Sequence, residues 1–473
     1  MRVAVLAAEA VPYSKTGGLG DVAGALPKAL RQVGVDSLLI TPLYKQTKEN
    51  LIEHLAIDDL RVDWRGREVG AQVYYSEANG SPTFLIHAPE LFFRDSIYGY
   101  REDYERFAFF NHAAIVLLRR IGSAPDIVHL NDWHCGFAAV EIAKLRRWDA
   151  FWRNTRTVFS IHNLAYQGAF GMEELWKLGF GDDFSRNAFS FGGAASALKA
   201  GLADSDMLST VSPRYGYEIQ QSENGYGLDW LLRQRSDRLF GIVNGVDYDV
   251  WNPATDADLP AHFNAHDLSG KRECKRALLN KFFLPENLDK PIFASVTRLT
   301  SQKGFELIQQ TIGDILGTGA YFIALGSGAS ESEDFLRRLK NAAPNQVGIY
   351  VGYNESLAHQ IEAGADIFLM PSRFEPCGLN QMYSLRYGTV PIVRAVGGLD
   401  DTVENFDRVS GTGNGFKFDE FRADKFTEKI YEALFAYHEP ETWRTIQRNG
   451  MTVDNSWENA ARKYVQLYQM TKA

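Results

Sequence analysis

The sequence predicts an α/β fold built from two doubly wound domains. Short aliphatic runs alternate with amphipathic helical stretches along the chain, and such strands are typical of parallel sheets covered on both faces. The alternation stops near 244–290, where Asn244-Gly245 marks a turn and Asp249 to Asp267 is rich in Pro, Asp and Asn. It restarts at Pro291. A length of 473 residues accommodates two large domains.

The predicted strands follow in chain order. In the first half they are the segments 2–8, 37–41, 83–87, 126–130, 157–161, 207–211 and 240–243. In the second half they are 292–297, 320–325, 348–351, 366–370 and 390–394. We therefore expect one domain at 1–245 and another at 246–455. The last segment, 456–473, has apolar residues at helical spacing, which predicts a helix packed on the body of the protein.

Composition excludes several classes of protein. The 50 basic and 59 acidic side chains give a net charge of -9, so the broad basic field of a general nucleic-acid binder is not expected. Apolar runs such as Ala113 to Leu118 are far shorter than the ~20 residues that span a bilayer, which predicts no membrane segment. Three cysteines form no disulfide framework, and no signal peptide is recognised, so we expect a cytoplasmic protein.

The first motif, Lys15-Thr16-Gly17-Gly18-Leu19-Gly20-Asp21-Val22, lies in the loop after the first strand. Ligands of open α/β sheets bind at the carboxyl ends of strands. Adjacent glycines let the backbone approach a phosphate or sugar, the following helix N-terminus favours anions, and Lys15 adds a positive charge. The alternative is a flexible loop with a solvated lysine. A dinucleotide fingerprint does not fit, because Ala23 stands where the third glycine belongs, so a dehydrogenase is disfavoured.

The second motif, Arg298 to Gly304, follows the predicted strand 292–297. Arg298 and Lys303 are two cations at a strand's carboxyl end, where they can converge on one diphosphate. Two solvated surface cations are the alternative.

The third motif, Ser372 to Gln381, follows the strand 366–370. A proline and a glycine predict a sharp turn into a helix, with the N–H groups of Gly378 and Leu379 directed at an anion. Glu375 can accept hydrogen bonds from sugar hydroxyls or stabilise positive charge at an anomeric carbon; a first-turn carboxylate is the alternative. Cys377 is expected to pack rather than to act as a nucleophile.

The fourth motif combines His129 to His134 with Ser160 to Gly168, each after a strand of the first domain. Histidines and Asp132 are metal-ligand types, but no metal-site spacing is present, and His162 alone is equally well a structural hydrogen-bonder. Asp-x-Asp pairs of the kind that bind metals in some glycosyltransferases occur three times, each near a turn or strand start, where Asp caps are common. We therefore expect no metal.

Together these segments resemble the glycogen and starch synthase family of bacteria and plants. The resemblance runs nearly end to end and includes GLDWLLRQRSDRLFGIVNGVDYD (227–249), TRLTSQKGFELI (297–308), AGADIFLMPS (363–372), LRYGTVPIVR (385–394) and VGGLDDTV (396–403). The family implies the GT-B architecture, in which two Rossmann-like domains face each other across a deep cleft.

The resemblance also implies a reaction. The family transfers glucose, with retention of configuration, from a sugar nucleotide, usually ADP-glucose, to the non-reducing-end 4-hydroxyl of an α-1,4-glucan such as glycogen. No cofactor is implied, and the number of subunits is left open. The second domain is expected to serve the donor and the first the acceptor.

Site residues carried over from the family fall into three groups. Those implied to hold the nucleotide are Lys15, Gly18, Arg298, Lys303, Tyr353 (on the base), Gly378 and Leu379, with Cys377 beside them. Those implied to surround the transferred glucose are Asp132, His162, Asn244 and Glu375. Those implied in or beside the active site are Asp21 and Tyr98. The chain departs from the family at Asn380, often Thr, and has Tyr383 where related sucrose- and mannosyl-transferring enzymes carry a second Glu.

Two other functions stay open. A glucan phosphorylase shares the GT-B architecture but needs pyridoxal phosphate bound to a lysine. A catalytically silent glucan-binding protein would use the nine Trp and 21 Tyr as sugar-stacking platforms. The presence of Lys15, Arg298, Lys303 and Glu375 favours the synthase.

Overall fold

The computed structural model describes residues 1–472, and the chain divides into two compact units. The first comprises Met1–Gly245 together with the segment from Trp457 onward, and the second is Val246–Ser456. The C-terminal helix thus belongs to the first unit although it follows the second in sequence. Ala473, the last residue of the predicted 456–473 segment, lies outside the described residues.

The first unit contains a nine-stranded sheet and a three-stranded sheet. Its strands are β1 (Arg2–Leu6), β2 (Asp36–Pro42), β3 (His54–Trp64), β4 (Arg67–Ser76), β5 (Thr83–His87), β6 (Ile127–Asn131), β7 (Arg156–Ile161), β8 (Ala169–Phe170), β9 (Ser190–Phe191), β10 (Ala194–Ser196), β11 (Met207–Thr210) and β12 (Leu239–Gly241). The large sheet has the order β12-β11-β7-β6-β1-β2-β5-β4-β3, and β8-β10-β9 form the small one.

The second unit contains one six-stranded sheet. Its strands are β13 (Ile292–Val296), β14 (Tyr321–Gly326), β15 (Val347–Val351), β16 (Ile367–Met370), β17 (Val390–Arg394) and β18 (Phe416–Phe418). They run parallel in the order β15-β14-β13-β16-β17-β18. This sheet, and the run from β12 to β5 in the first unit, confirm the predicted α/β class.

The prediction of parallel sheets is wrong in two places in the first unit: in the small sheet, where β10 pairs antiparallel with β8 and β9, and at one edge of the large sheet. β3 and β4 form a hairpin, and β4 pairs antiparallel with β5. The turn between the two strands is Arg65-Gly66, and both residues have a positive φ. In β3 buried residues alternate with exposed ones near the turn, because only one face of the hairpin is covered. That alternation, rather than a continuous apolar run, is the signal for these two strands.

Helices cover the sheets. They are α1 (Gly18–Gln32), α2 (Pro89–Phe92), α3 (Asp103–Arg120), α4 (Gly136–Leu145), α5 (Glu174–Lys177), α6 (Asp183–Phe189), α7 (Ala197–Asp204), α8 (Pro213–Glu218), α9 (Asp229–Gln234), α10 (Ser269–Lys281), α11 (Phe305–Gly317), α12 (Ser330–Ala342), α13 (Glu355–Gly364), α14 (Asn380–Arg386), α15 (Gly397–Thr402), α16 (Ala423–Tyr437), α17 (Pro440–Thr452) and α18 (Trp457–Lys472). Among the helices of residues 1–472, none combines the length and apolar character that crossing a membrane requires.

Helix α18 packs into the core of the first unit. Its buried residues, among them Tyr464 and Tyr468, share a hydrophobic cluster with β1 and α1. The Tyr468 hydroxyl lies 2.7 Å from Nδ1 of His129, whose Nε2 lies 2.6 Å from Ser160 Oγ. His129, one of the candidate metal-ligand types, is therefore a buried structural hydrogen-bonder that joins β6 to the C-terminal helix.

Candidate active site

The loop between β1 and α1 is organised by a buried carboxylate. Glu9 Oε2 accepts hydrogen bonds from the Thr16 N–H at 2.5 Å and from the Thr16 hydroxyl at 2.8 Å. Burial is the main reason that the pKa of Glu9 is raised. Sequence reasoning did not assign Glu9 to the site, although its place directly after the first predicted strand is a usable signal.

The predicted residues of that loop lie at its open end. Lys15 Nζ pairs with Asp21 Oδ1 at 2.7 Å, and both side chains are partly exposed. Gly18 begins helix α1, and a side chain there would meet nothing within 4 Å. No side chain caps the helix at Gly17. The Gly20 N–H donates to the Gly17 carbonyl at 3.2 Å, so the N–H groups of Gly18 and Leu19 are the candidates for binding an anion.

Asp132 and His162, which follow β6 and β7, are brought together. Asp132 Oδ1 accepts hydrogen bonds from the backbone N–H groups of His162 at 2.7 Å and Asn163 at 3.4 Å. Asp132 has a φ of 56°, a conformation costly for a residue other than glycine and common at functional sites. Burial raises the pKa of Asp132 to about 7 and lowers that of His162 to about 4. His162 is therefore neutral, and its Nε2 lies 2.9 Å from Asn131 Oδ1.

Two further predicted residues of the first unit present buried polar atoms without partners. Within residues 1–472 neither the Tyr98 hydroxyl nor Asn244 Oδ1 has a hydrogen-bond partner. The Tyr98 ring stacks on His134 with centroids 4.7 Å apart. Orphaned buried polar atoms are rare in folded proteins, so these two are candidates for hydrogen bonds to a ligand.

In the second unit Lys303 and Glu375 form a direct ion pair. Lys303 Nζ lies 2.5 Å from Glu375 Oε2, which also accepts a hydrogen bond from Ser372 Oγ at 3.2 Å. Gly304 makes this contact possible: its φ is 67°, and a Cβ there would lie 1.9 Å from the Pro371 carbonyl oxygen. The backbones that follow β13 and β16 therefore approach each other more closely than any other residue allows.

Arg298, just after β13, is exposed. Its guanidinium has no ion-pair or hydrogen-bond partner among residues 1–472. A planar fork of donors with no protein acceptor is suited to a phosphate or carboxylate ligand.

The turn after Glu375 leads into α14 as expected. Gly378 has a φ of 72°, and Leu379 precedes the helix without a side-chain cap. Cys377 is buried, and its carbonyl accepts a hydrogen bond from Gln381 Nε2 at 3.1 Å. Asn380 Nδ2 donates to the Val296 carbonyl at 2.7 Å, which ties the start of α14 to the end of β13.

Gly397 and Gly398, after β17, also belong to this part of the structure. The Gly398 N–H donates to the Glu375 carbonyl at 3.2 Å, and a Cβ on Gly397 would lie 2.0 Å from the same oxygen. A Cβ on Gly398 would lie 2.1 Å from the Cys377 carbonyl oxygen. Sequence reasoning did not assign this glycine pair to the site; its position at a strand's carboxyl end is the available signal.

Two tyrosines differ in their surroundings. Tyr353, the candidate base-stacking residue, is 74% exposed, and its hydroxyl donates to Glu355 at 3.2 Å. Tyr383 stacks on Trp251 with ring centroids 3.9 Å apart, and Trp251 in turn stacks on His359. Tyr383 is part of α14, and its ring packs that helix against Trp251.

The carboxylates of the Asp-x-Asp pairs mostly accept hydrogen bonds from the backbone and from neighbouring side chains. Asp206 receives two hydrogen bonds from Arg146, and Asp247 accepts the Asp249 N–H at 2.9 Å. Asp256 accepts from Tyr387 at 2.5 Å and contacts His359 at 2.7 Å. Asp256, Asp258 and His359 are close enough to ligate a cation together, although such groups are common without one.

Comparison with known proteins agrees with this architecture. A starch synthase catalytic domain model matches residues 2–234, and a model of glycosyl transferases group 1 matches residues 279–450. The catalytic domain of starch synthase IV from Arabidopsis thaliana, solved bound to ADP and acarbose, superposes with a TM-score of 0.90 at 33% identity, covering 100% of this chain and 99% of that one. The protein is a GT-B glycosyltransferase.

Relatives that match over their full length identify the family within this class of enzymes. Glycogen synthase of Anaeromyxobacter sp. (strain Fw109-5) is 44% identical over 100% of both chains. Glycogen synthase of Bacillus cereus (strain B4264) is 40% identical over 99% of both. The chain belongs to the glycogen and starch synthase family, and these relatives support a nucleotide-sugar donor and a glucan acceptor.

Proposed function

We propose that the protein transfers glucose from ADP-glucose to the non-reducing-end 4-hydroxyl of α-1,4-glucan, with retention of configuration, and so elongates glycogen in the cytoplasm. The observation that carries the proposal is the Lys303–Glu375 pair at 2.5 Å beside the uncapped start of α14. This ion pair places a cation that can bind phosphate next to a carboxylate that can accept hydrogen bonds from sugar hydroxyls. ADP in the related plant starch synthase structure supports the choice of base.

The second unit serves the donor in this proposal. Negative charge accumulates on the diphosphate as the glycosidic bond breaks, and Arg298, Lys303 and the N–H groups at Gly378 and Leu379 offset it. The diphosphate competes with Glu375 for the Lys303 ammonium. Glu375 then accepts hydrogen bonds from the glucose hydroxyls and stabilises the cation-like anomeric carbon. Tyr353 stacks on the nucleotide base.

The first unit serves the transferred glucose and the acceptor. Asp132 accepts hydrogen bonds from sugar hydroxyls, and neutral His162 donates or accepts one without adding charge near the anomeric carbon. The orphaned Tyr98 hydroxyl and Asn244 Oδ1 gain the partners that buried polar atoms require. Lys15 and Gly18 also help to hold the donor diphosphate, and Asp21, the ion-pair partner of Lys15, lies beside them.

Configuration is retained because the acceptor attacks the anomeric carbon from the same face that the leaving group departs from. The acceptor 4-hydroxyl oxygen forms the new bond to the anomeric carbon while the bond to the diphosphate oxygen breaks. The acceptor proton passes to the departing phosphate, so charge and atoms balance without a protein nucleophile.

Nucleotide release tests the proposal. ADP-glucose and, separately, UDP-glucose are incubated with the protein, with and without glycogen and without added metal. We expect ADP release that depends on glycogen and exceeds UDP release. Release from neither donor would overturn the proposal. An absorbance scan with borohydride trapping would then test for a phosphorylase, and glycogen pull-down would test for a silent binder.

A further inference from the structure

The loop that carries Tyr98 is irregular. It comprises residues 93–102, which contain neither helix nor strand and connect α2 to α3. The Tyr98 ring stacks on His134, and the Tyr98 hydroxyl is buried without a partner among residues 1–472. A side chain on an irregular loop can meet a ligand precisely only when other groups hold its backbone in place.

One ion pair holds the chain on both sides of Tyr98. Arg106 Nη1 donates to the Ile97 carbonyl at 3.0 Å and to Asp103 Oδ1 at 2.5 Å. Asp103 Oδ2 accepts a hydrogen bond from the Gly99 N–H at 2.9 Å. The guanidinium therefore fixes the peptide group before Tyr98, and the carboxylate fixes the peptide group after it. We call this ion pair the Arg106–Asp103 clamp.

The clamp also holds other parts of the loop. Arg106 Nε donates to the Leu91 carbonyl at 2.7 Å, and the guanidinium carbon lies 5.1 Å from the centre of the Tyr100 ring. Asp103 Oδ2 accepts a second hydrogen bond, from the Tyr100 N–H, at 3.2 Å. A planar guanidinium presents its donors in a fixed fork, whereas a lysine ammonium is a single mobile point. Arginine is therefore the side chain that suits this set of acceptors.

The burial of Arg106 is more than loop stability requires. The residue is 0% exposed, and its Nη2 has no hydrogen-bond partner among residues 1–472. A buried charge and an unsatisfied donor are both costly, so a buried ion pair is weak evidence for a purely stabilising role. At the exposed end of the same loop, Lys45 Nζ contacts Asp95 Oδ1 at 2.7 Å without such a cost.

We propose that Arg106 is a positioning residue, which acts with Asp103 to hold the Tyr98 hydroxyl where it hydrogen-bonds a sugar of the glucan acceptor. The inference rests on the proposed function for the identity of that ligand. Burial raises the pKa of Tyr98 well above its usual range, so its hydroxyl keeps the proton and can donate as well as accept. Arg106 acts through Tyr98, and the nucleotide is held by other residues.

Arg106→Lys tests the clamp, because it keeps a positive charge beside Asp103 but loses the fork that reaches the two carbonyls. We expect kcat/KM for transfer to maltotriose to fall about tenfold, the scale of one lost hydrogen bond to a sugar. The Kd for ADP should change less than about twofold, since its contacts lie elsewhere. Arg235→Lys is the matched control: Arg235 donates to the carbonyls of Leu202 and Ser205 in the same unit, and the substitution should change neither quantity.

A double-mutant cycle with Tyr98→Phe separates positioning from general destabilisation. Tyr98→Phe removes the hydroxyl that the clamp positions, so the further change Arg106→Lys should lower kcat/KM by less than about threefold. Lys45→Ala, which removes the exposed loop contact, should leave kcat/KM near that of the wild type. A full fall in both backgrounds, or near wild-type transfer by folded Arg106→Lys, would overturn the proposal.

Asp103→Asn takes the place of Arg106→Lys in the cycle if the lysine variant does not fold. Asparagine still accepts the Gly99 N–H but forms no ion pair with Arg106. We expect a fall in kcat/KM of about threefold, seen only when the Tyr98 hydroxyl is present. An equal fall with and without that hydroxyl would overturn the proposal.

Amide hydrogen exchange tests the clamp without turnover. The N–H groups of Gly99 and Tyr100 donate to Asp103, so exchange within 93–102 should be faster in Arg106→Lys than in the wild type or Arg235→Lys. Unchanged exchange would overturn the proposal. Faster exchange in a protein whose wild type transfers no glucose would contradict the proposed function and keep Arg106 as the residue that positions Tyr98.

Discussion

Replacing Lys303 with alanine removes the cation that contacts the Glu375 carboxylate. Lys303 Nζ and Glu375 Oε2 are 2.5 Å apart, and the two side chains are 19% and 7% exposed. A pair this short and this shielded is coupled more strongly than a surface ion pair of about 0–1 kcal/mol. We expect kcat/KM to fall by at least ~10²-fold, because one positive charge opposite the leaving diphosphate is lost. That fall equals about 2.7 kcal/mol of transition-state stabilisation.

The same substitution also lowers stability. It leaves the Glu375 carboxylate buried without its cation, a loss of about 3–5 kcal/mol for fully buried pairs and, because Lys303 is partly exposed, of about 1–3 kcal/mol here. Lys303→Ala combined with Glu375→Gln removes the stranded charge. We expect this double variant to recover stability but not activity. Urea unfolding and initial rates with ADP-glucose and glycogen separate the two effects.

Lys275→Ala is the matched control. Lys275 Nζ lies 2.7 Å from Asp366 Oδ2 in the same unit, and both side chains are buried. Neither residue is among the proposed substrate contacts. We expect Lys275→Ala to lose stability while the folded variant keeps near wild-type kcat/KM. Near wild-type turnover by folded Lys303→Ala, or an equal fall in the control, would refute the reasoning.

Three further substitutions follow from the structure. The pKa of Asp132 is raised to about 7 from 3.8, so the folded state keeps a proton that the unfolded state releases. The free energy of unfolding therefore falls as pH rises from about 4 to about 7. In urea unfolding at about pH 5 and about pH 8, the free energy of unfolding should depend less on pH for Asp132→Asn than for the wild type. Gly304→Ala places a Cβ 1.9 Å from the Pro371 carbonyl oxygen. We expect thermal unfolding to show a free energy of unfolding lower by about 1–3 kcal/mol, and kcat/KM to be reduced. Its control, Gly313→Ala, adds a methyl inside α11 with no atom within 4 Å and should gain about 0.5–1 kcal/mol. Cys377→Ser should keep most transfer activity because Cys377 is a buried packing residue; complete loss of activity in the folded variant would show that its thiol has another role.

Local sequence patterns predicted most of the fold and the strand ends at which the candidate site residues lie. Continuous apolar strands between helices identified the parallel sheets, and strand ends located the loops that carry Asp132, Arg298 and Glu375. The β3–β4 hairpin was missed because its strands are half exposed and polar on one side. The roles of all the carried-over site residues remain predictions.

Contacts between distant segments could not be read from local patterns. Lys303 meets Glu375 across 72 residues, and that contact depends on the close backbone approach at Gly304. Gly397 and Gly398 take part through backbone packing on Glu375 and Cys377. Likewise, the missing partners of Tyr98 and Asn244 become visible only when the surrounding chain is in place.

The anomeric configuration and linkage of the first product test the central claim most directly. The protein is incubated with ADP-glucose and maltotriose, and proton NMR follows the new anomeric signal while released ADP is measured in parallel. We expect an α-1,4-linked glucose at the non-reducing end from the earliest time points, with one ADP released for each glucose transferred. A β-linked product, or free glucose without chain extension, would contradict retaining transfer to a glucan.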